Sequence, residues 1–140
     1  MATNQRQGVM KPQTHPGWSW LLRLTAAVIM LQTLYFKFSA APESVYIFST
    51  VGMEPWGRIF VGVLELIASV LILIPRTTAY GALIGIGVMT GAVFMHLTRL
   101  GIVVLNDSGK LFVMALVVLI TCLVLVYWHR SSISGVKSRD

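Results

Sequence analysis

A single cysteine, Cys122, is all the thiol chemistry available in 140 residues. An internal disulfide or a dithiol redox pair needs two sulfurs in one chain and is excluded. The ligand supply for a zinc or iron–sulfur centre is missing as well, so no metal site is expected. Charge is equally scarce. Charged residues make up 11% of the chain, against about 25% in soluble domains, and only five are acidic. With 56% hydrophobic residues and a mean hydropathy of +0.77, a soluble globular fold is excluded. No glycine-rich nucleotide motif follows a strand pattern, and the length leaves no room for a large soluble catalytic domain.

The net charge of +6 does not mark nucleic-acid binding. The basic residues stand singly at the ends of apolar segments, where they act as topology signals, and no nucleic-acid partner is expected. Only ten charged residues fall between positions 18 and 128. That stretch belongs in a lipid bilayer, and the fold class it predicts is all-α, an integral membrane four-helix bundle.

Spans are predicted over about 18–38, 58–74, 78–98 and 110–129, a transmembrane domain of 18–130 between a mobile head (1–17) and a mobile tail (131–140). Arg6, Lys11 and Arg23 ahead of an apolar run resemble a signal peptide, but the run exceeds the usual h-region and a retained helix is expected. Pro75 has no amide hydrogen and stops the second span, and Pro75-Arg76-Thr77 is too short a turn for anything but antiparallel neighbours. Asn106-Asp107-Ser108-Gly109 supplies turn and cap chemistry before the fourth span. Between the first two spans, Pro42-Glu43 followed by Val45, Phe48 and Val51 predicts a short amphipathic helix ended by Gly52 and lying along the membrane surface; an irregular loop is the alternative.

Lys and Arg number seven on the side of the termini and the Pro75 turn, and four on the other side. Both termini are therefore expected in the cytoplasm of a bacterial inner-membrane protein. Trp18, Trp20, Trp56, Tyr127 and Trp128 lie where interfacial anchors belong. Gly81, Gly85, Gly87 and Gly91 in the third span let neighbouring backbones approach closely, within the bundle or across a homodimer.

Ionisable groups inside a span are costly, so each needs a reason. Counted from the outer helix ends, Gln32 and Glu65 both lie about 10 Å deep, and Lys37 and His96 form a layer about 3–5 Å deep. Four polar groups from three helices thus converge in the outer half. A carboxylate at the depth of Glu65 must be paired, protonated or in a wet cavity, and Lys37 is the nearest cation by depth. A structural Lys37–Glu65 pair and a proton-handling site both satisfy this requirement. Arg23 reads as a snorkelling anchor, and Cys122 as a small lipid-facing or packed residue.

Gly62-Val63-Leu64-Glu65-Leu66, Leu73-Ile74-Pro75-Arg76-Thr77, Gly81-Ala82, Gly91-Ala92-Val93 before His96-Leu97, and Lys37 closing the first span together resemble the DoxX family of small bacterial four-helix membrane proteins. The resemblance covers about residues 22–128. It implies a link to membrane redox systems, since some DoxX and DoxD members are associated with quinone-linked thiosulfate oxidation. Two functions follow. In the first, a redox-associated subunit binds a quinone or similar amphipathic ligand, with His96, Gln32 and Glu65 as hydrogen-bond and proton partners and Lys37 setting the charge. The chain has no electron carrier of its own, so a membrane or periplasmic protein partner would supply electrons. In the second, the bundle is a non-catalytic scaffold and Lys37–Glu65 an internal structural pair. Proton-coupled transport fits less well, because no broken helix or inverted repeat is visible.

Overall fold

The computed structural model describes residues 16–134; the expected mobility of the head and tail concerns 1–15 and 135–140, which lie outside the described residues. Five α-helices follow one another, and the described residues contain no strand. They are α1 (Pro16–Phe38), α2 (Pro42–Thr50), α3 (Trp56–Leu73), α4 (Thr78–Met95), continued by a π-helical turn His96–Leu100, and α5 (Lys110–Ser134). Four of these elements, counting α4 with its π-helical turn, are long and apolar enough to cross a membrane, the shortest having 18 residues or about 27 Å. The protein is a multi-pass membrane protein.

The predicted helix between the first two spans forms, and its ends follow from backbone chemistry. Pro42 occupies the first turn, where a missing N–H costs nothing. Gly52 adopts φ +77°, a left-handed conformation that penalises a side chain, and the Met53 amide bonds back to the Phe48 carbonyl at 2.7 Å. Its buried face is Ser44 and Phe48, while Val51 of the expected stripe is half-buried. Val45 is half-buried as well, so the expected i, i+3, i+6 face is the less exposed one, with Ser44 added to it.

Each long helix has two neighbours: α1 packs on α3 and α5, and α4 packs on the same two. In chain order the four alternate in direction, so every neighbouring pair is antiparallel. Small residues set the spacing. A Cβ at Gly81 would stand 2.7 Å from the Ala68 carbonyl oxygen, and one at Gly85 would stand 2.8 Å from Cys122 Sγ. The first glycine seats α4 on α3 and the second seats it on α5. Cys122 is thus a packed residue, in a core with Met30, Ile72, Val118 and Leu125. Large apolar side chains such as Leu24, Val28, Phe60, Ile67, Leu83 and Ile120 face outward, a surface matched to acyl chains. Trp18, Trp56 and Tyr127 are exposed near helix ends, where aromatic rings sit at the headgroup level.

Candidate functional site

Two arginines fix the relation between α1 and α3 before any site is formed. Arg23, near the start of α1, donates from Nε to the Ile72 carbonyl and from Nη2 to the Leu73 carbonyl, both at 2.8 Å, and stacks on the Trp20 ring. These are orphan carbonyls at the end of α3, a helix that Pro75 prevents from continuing. Arg23 is therefore not a snorkelling anchor as its position predicts: it is 3% exposed and caps a neighbouring helix. Arg58, near the start of α3, does the reverse. It holds Glu54 in an ion pair through Nε and Nη2 and donates from Nη1 to the Lys37 carbonyl at the end of α1. Each helix caps the other.

With the end of α1 held in this way, the Lys37 side chain turns toward Glu65 on α3. Nζ and Oε2 are 2.9 Å apart, and the side chains are 13% and 4% exposed. Thr33 Oγ1 lies 3.1 Å from the same Oε2 and 2.8 Å from the Met30 carbonyl. Ser69 Oγ donates to the Glu65 carbonyl, one turn along. Thr33 stands where equal depth would have placed Gln32. The reason is azimuth: at about 100° per residue, Thr33 is about 40° around α1 from Lys37, whereas Gln32 is about 140° around. Gln32 is exposed.

His96 opens the π-helical turn and is 5% exposed. Its Nδ1 lies 2.8 Å from the Gly101 carbonyl oxygen. A carbonyl only accepts, so Nδ1 carries the hydrogen and, in the neutral ring, Nε2 carries the free lone pair. The ring also meets the edge of Phe112 on α5. Beyond it, the α4–α5 connection is organised by Asp107, whose carboxylate accepts from the amides of Val104, Gly109 and Leu111. Burial pushes the Asp107 carboxyl upward, but those three amides and the His96 ring outweigh it and hold it below its ordinary value.

These elements surround a cavity of about 770 Å³ at the α2 end of the bundle. All of Gln32, Lys37, Glu65 and His96 line it, together with Thr33 and Ser44, which the sequence did not single out, and Glu43 and Asp107, which it marked only as helix-start and turn residues. Apart from these and Lys110, its walls are apolar. Exposed lining residues Gln32, Glu43 and Lys110 mark where it opens. Gly87 and Gly91 also line it, and a Cβ at either would meet nothing within 4 Å. Helical spacing carried a signal for Thr33, one turn from Lys37. Ser44 had none, because a lone serine in a nine-residue helix is indistinguishable from a solvated one until the helix is docked.

A mostly apolar cavity with a few convergent polar groups is the usual form of a small-molecule site. Chemically, this one offers a paired carboxylate, an ammonium, an imidazole lone pair and two hydroxyls.

No curated protein and no solved structure matches the chain. A family model does: the model described as the DoxX-like family matches residues 21–126, which span α1 from its second turn through most of α5. The match takes in the helices that carry Lys37, Glu65 and His96, and the chain belongs to the DoxX-like family.

Proposed function

We propose that the protein binds an amphipathic small molecule, a quinone or a molecule of similar shape, in the cavity at the α2 end, as a redox-associated membrane subunit. The observation that supports this is the convergence of Gln32, Lys37, Glu65 and His96 on one cavity of about 770 Å³. A purely structural ion pair needs no such space around it. The cavity volume falls within the range of pockets that hold drug-sized ligands, about 300–1,000 Å³. Its exposed flank beside Gln32 lets an acyl or isoprenoid tail continue along the outer helix faces. Lys37 donates to a ligand oxygen, and His96 and Glu65 hold or accept protons at that oxygen. Electrons come from a partner protein in this reading, because the chain offers no carrier.

The same reading places the protein in a bacterial inner membrane with both termini cytoplasmic, so that the cavity lies in the outer half. The seven-to-four distribution of Lys and Arg supports that orientation. Cysteines introduced at positions 5 and 137 in a Cys122→Ser background should resist an impermeant thiol reagent in intact spheroplasts. Labelling there reverses the orientation.

The binding reading is tested by purifying the protein from its native membrane and identifying co-purifying small molecules by mass spectrometry, beside the variant Gly91→Leu. The open space at Gly91 accepts a side chain, which fills the cavity rather than breaking the bundle. One amphipath should be retained stoichiometrically by the parent protein and lost from the variant. If only bulk lipid is found, equally in both, the scaffold reading with Lys37–Glu65 as a structural pair replaces this one.

A further inference from the structure

Resting on the binding reading above, we propose that the cavity selects an aromatic amphipath carrying hydroxyl donors, an alkyl hydroquinone or alkylphenol, over the corresponding carbonyl or ether form. The basis is a count of hydrogen-bonding capacity on its buried wall. His96 has spent its N–H on the Gly101 carbonyl, which leaves Nε2 as an acceptor in the neutral ring. Glu65 has spent Oε2 on Lys37 and Thr33, and its Oε1 receives no hydrogen bond from the described residues. Both residues are at least nine-tenths buried and both line the cavity. Neither atom is sealed off, since among the described residues no fully buried side-chain nitrogen or oxygen lacks a partner. Each therefore keeps some accessible surface, on a side chain that lines the cavity.

Donors stand on the same wall as well, but none of them meets these two acceptors. Ser44, 8% exposed, has a hydroxyl with no partner among the described residues and can serve in either role. Lys37 Nζ has N–H groups beyond the one facing Glu65. Gln32 lies at the exposed flank. A ligand hydroxyl meets this set, because its lone pairs accept from Lys37 while its hydrogen goes to Glu65 Oε1 or His96 Nε2. A quinone carbonyl can accept from Lys37 or Ser44 but offers no hydrogen to Glu65 Oε1 or His96 Nε2, and leaves both buried acceptors unmatched. Leaving buried acceptors unmatched is the costly side of hydrogen bonding, and sites built for a donor reject analogues without one. An aromatic body is favoured over a glycerol headgroup by Met30, Met89, Met95 and Met114 on the walls, whose polarisable thioethers pack against ring edges.

The test uses the full chain in lipid nanodiscs and four probes: a fully ring-substituted alkyl hydroquinone, its dimethyl ether, the matching quinone, and a monoacylglycerol. Full substitution prevents addition to thiols and amines. Binding is measured by isothermal titration. The hydroquinone should bind at least about tenfold more tightly than the ether, the quinone or the monoacylglycerol. His96→Asn can keep an N–H for the Gly101 carbonyl and has no acceptor at the Nε2 position, its amide oxygen lying nearer the backbone, so the preference over the ether should shrink while thermal stability holds. Should that variant unfold, Glu65→Gln gives the second reading, with its acceptor pair reduced and the same narrowing expected. Equal binding of hydroquinone, ether and quinone overturns the proposal, as does a monoacylglycerol that binds as tightly or a hydroquinone that fails to bind. Any of these leaves the binding reading standing if an amphipath still co-purifies with the parent protein and is lost from Gly91→Leu. Absence of any co-purifying amphipath removes that reading and this one together.

Discussion

Replacing Lys37 by Met strands a carboxylate whose side chain is 4% exposed and whose only other side-chain partner among the described residues is the Thr33 hydroxyl. Removing one member of a buried ion pair costs about 3–5 kcal/mol, because the remaining charge is neither solvated nor paired. The converse change, Glu65→Gln, strands an ammonium on the more exposed partner, 13% against 4%, beside a neutral amide oxygen. A smaller loss follows, about 1–3 kcal/mol. The double replacement leaves no buried charge and retains a Thr33 to Gln contact, so its stability should return to within about 1–2 kcal/mol of the parent. The resulting coupling energy is at least about 2 kcal/mol. The cap at the end of α1 is unaffected throughout, because Arg58 holds the Lys37 backbone carbonyl and not its side chain. Reversible unfolding in mixed micelles of rising denaturing-detergent fraction, read by circular dichroism, measures all four corners of the cycle. Additive single losses, or a Lys37→Met variant within about 1 kcal/mol of the parent, refute the reasoning. In the ligand-binding reading, the stable double variant also loses its co-purifying amphipath; in the scaffold reading nothing further is lost.

Arg23→Leu should destabilise the bundle by about 2–4 kcal/mol in the same assay through the loss of two charge-assisted bonds, and Arg23→Lys should recover only part, because an ammonium cannot span both carbonyls. Gly81→Ala forces a Cβ against the Ala68 carbonyl and should cost about 1–3 kcal/mol, whereas Gly87→Ala, with open space around it, should be neutral or slightly stabilising. Asp107 has a folded value held below its ordinary 3.8, so its contribution to stability is complete above that value and is lost as pH falls through the lowered one. Asp107→Asn should flatten stability against pH in that acid range; a parent protein whose unfolding midpoint shows no acid dependence attributable to Asp107 contradicts this.

Most of the helical plan is legible from local rules. Charge-free runs, Pro75 and the Asn106–Gly109 turn place the spans within a few residues, since bilayer thickness and backbone hydrogen bonding leave little freedom. Rotation about each helix axis is what depth arithmetic leaves open. It puts Gln32 and Glu65 at one level, yet the group that reaches Glu65 is Thr33, because residues one step apart in sequence point about 100° apart. Arg23 fails for a related reason. A lone arginine near a helix end fits snorkelling equally well, and only the docking of α3 shows that carbonyls of Ile72 and Leu73 need it. The third span's glycines carry a mixed message for the same cause: Gly81 and Gly85 seat neighbouring helices, while Gly87 and Gly91 line empty space.

That division of the glycines also accounts for where the cavity is. Toward the Pro75 end, α4 approaches α3 and α5 closely enough at Gly81 and Gly85 that added methyl groups would collide. Most of the largest sealed side chains, including Ile72, Leu125, Thr78 and Cys122, gather in that half. Beyond Gly85, a Cβ at Gly87 or Gly91 would meet nothing within 4 Å, and α4 continues into a π-helical turn at His96. Meanwhile α1 and α3 stay together at the α2 end, where Gly62 lies under the Phe38 ring and Arg58 caps α1. The gap lies between these helices and α4, and α2 lies beside it with Ser44 and Phe48 buried. The ionisable groups sort accordingly. Arg23 and Arg58 spend their donors on helix ends and an ion pair, which fixes the frame. Lys37, Glu65 and His96 keep part of their capacity turned toward the gap. Buried ionisable side chains that border an open space are what the proposed binding site requires, whereas the buried arginines are accounted for by the helix ends they cap.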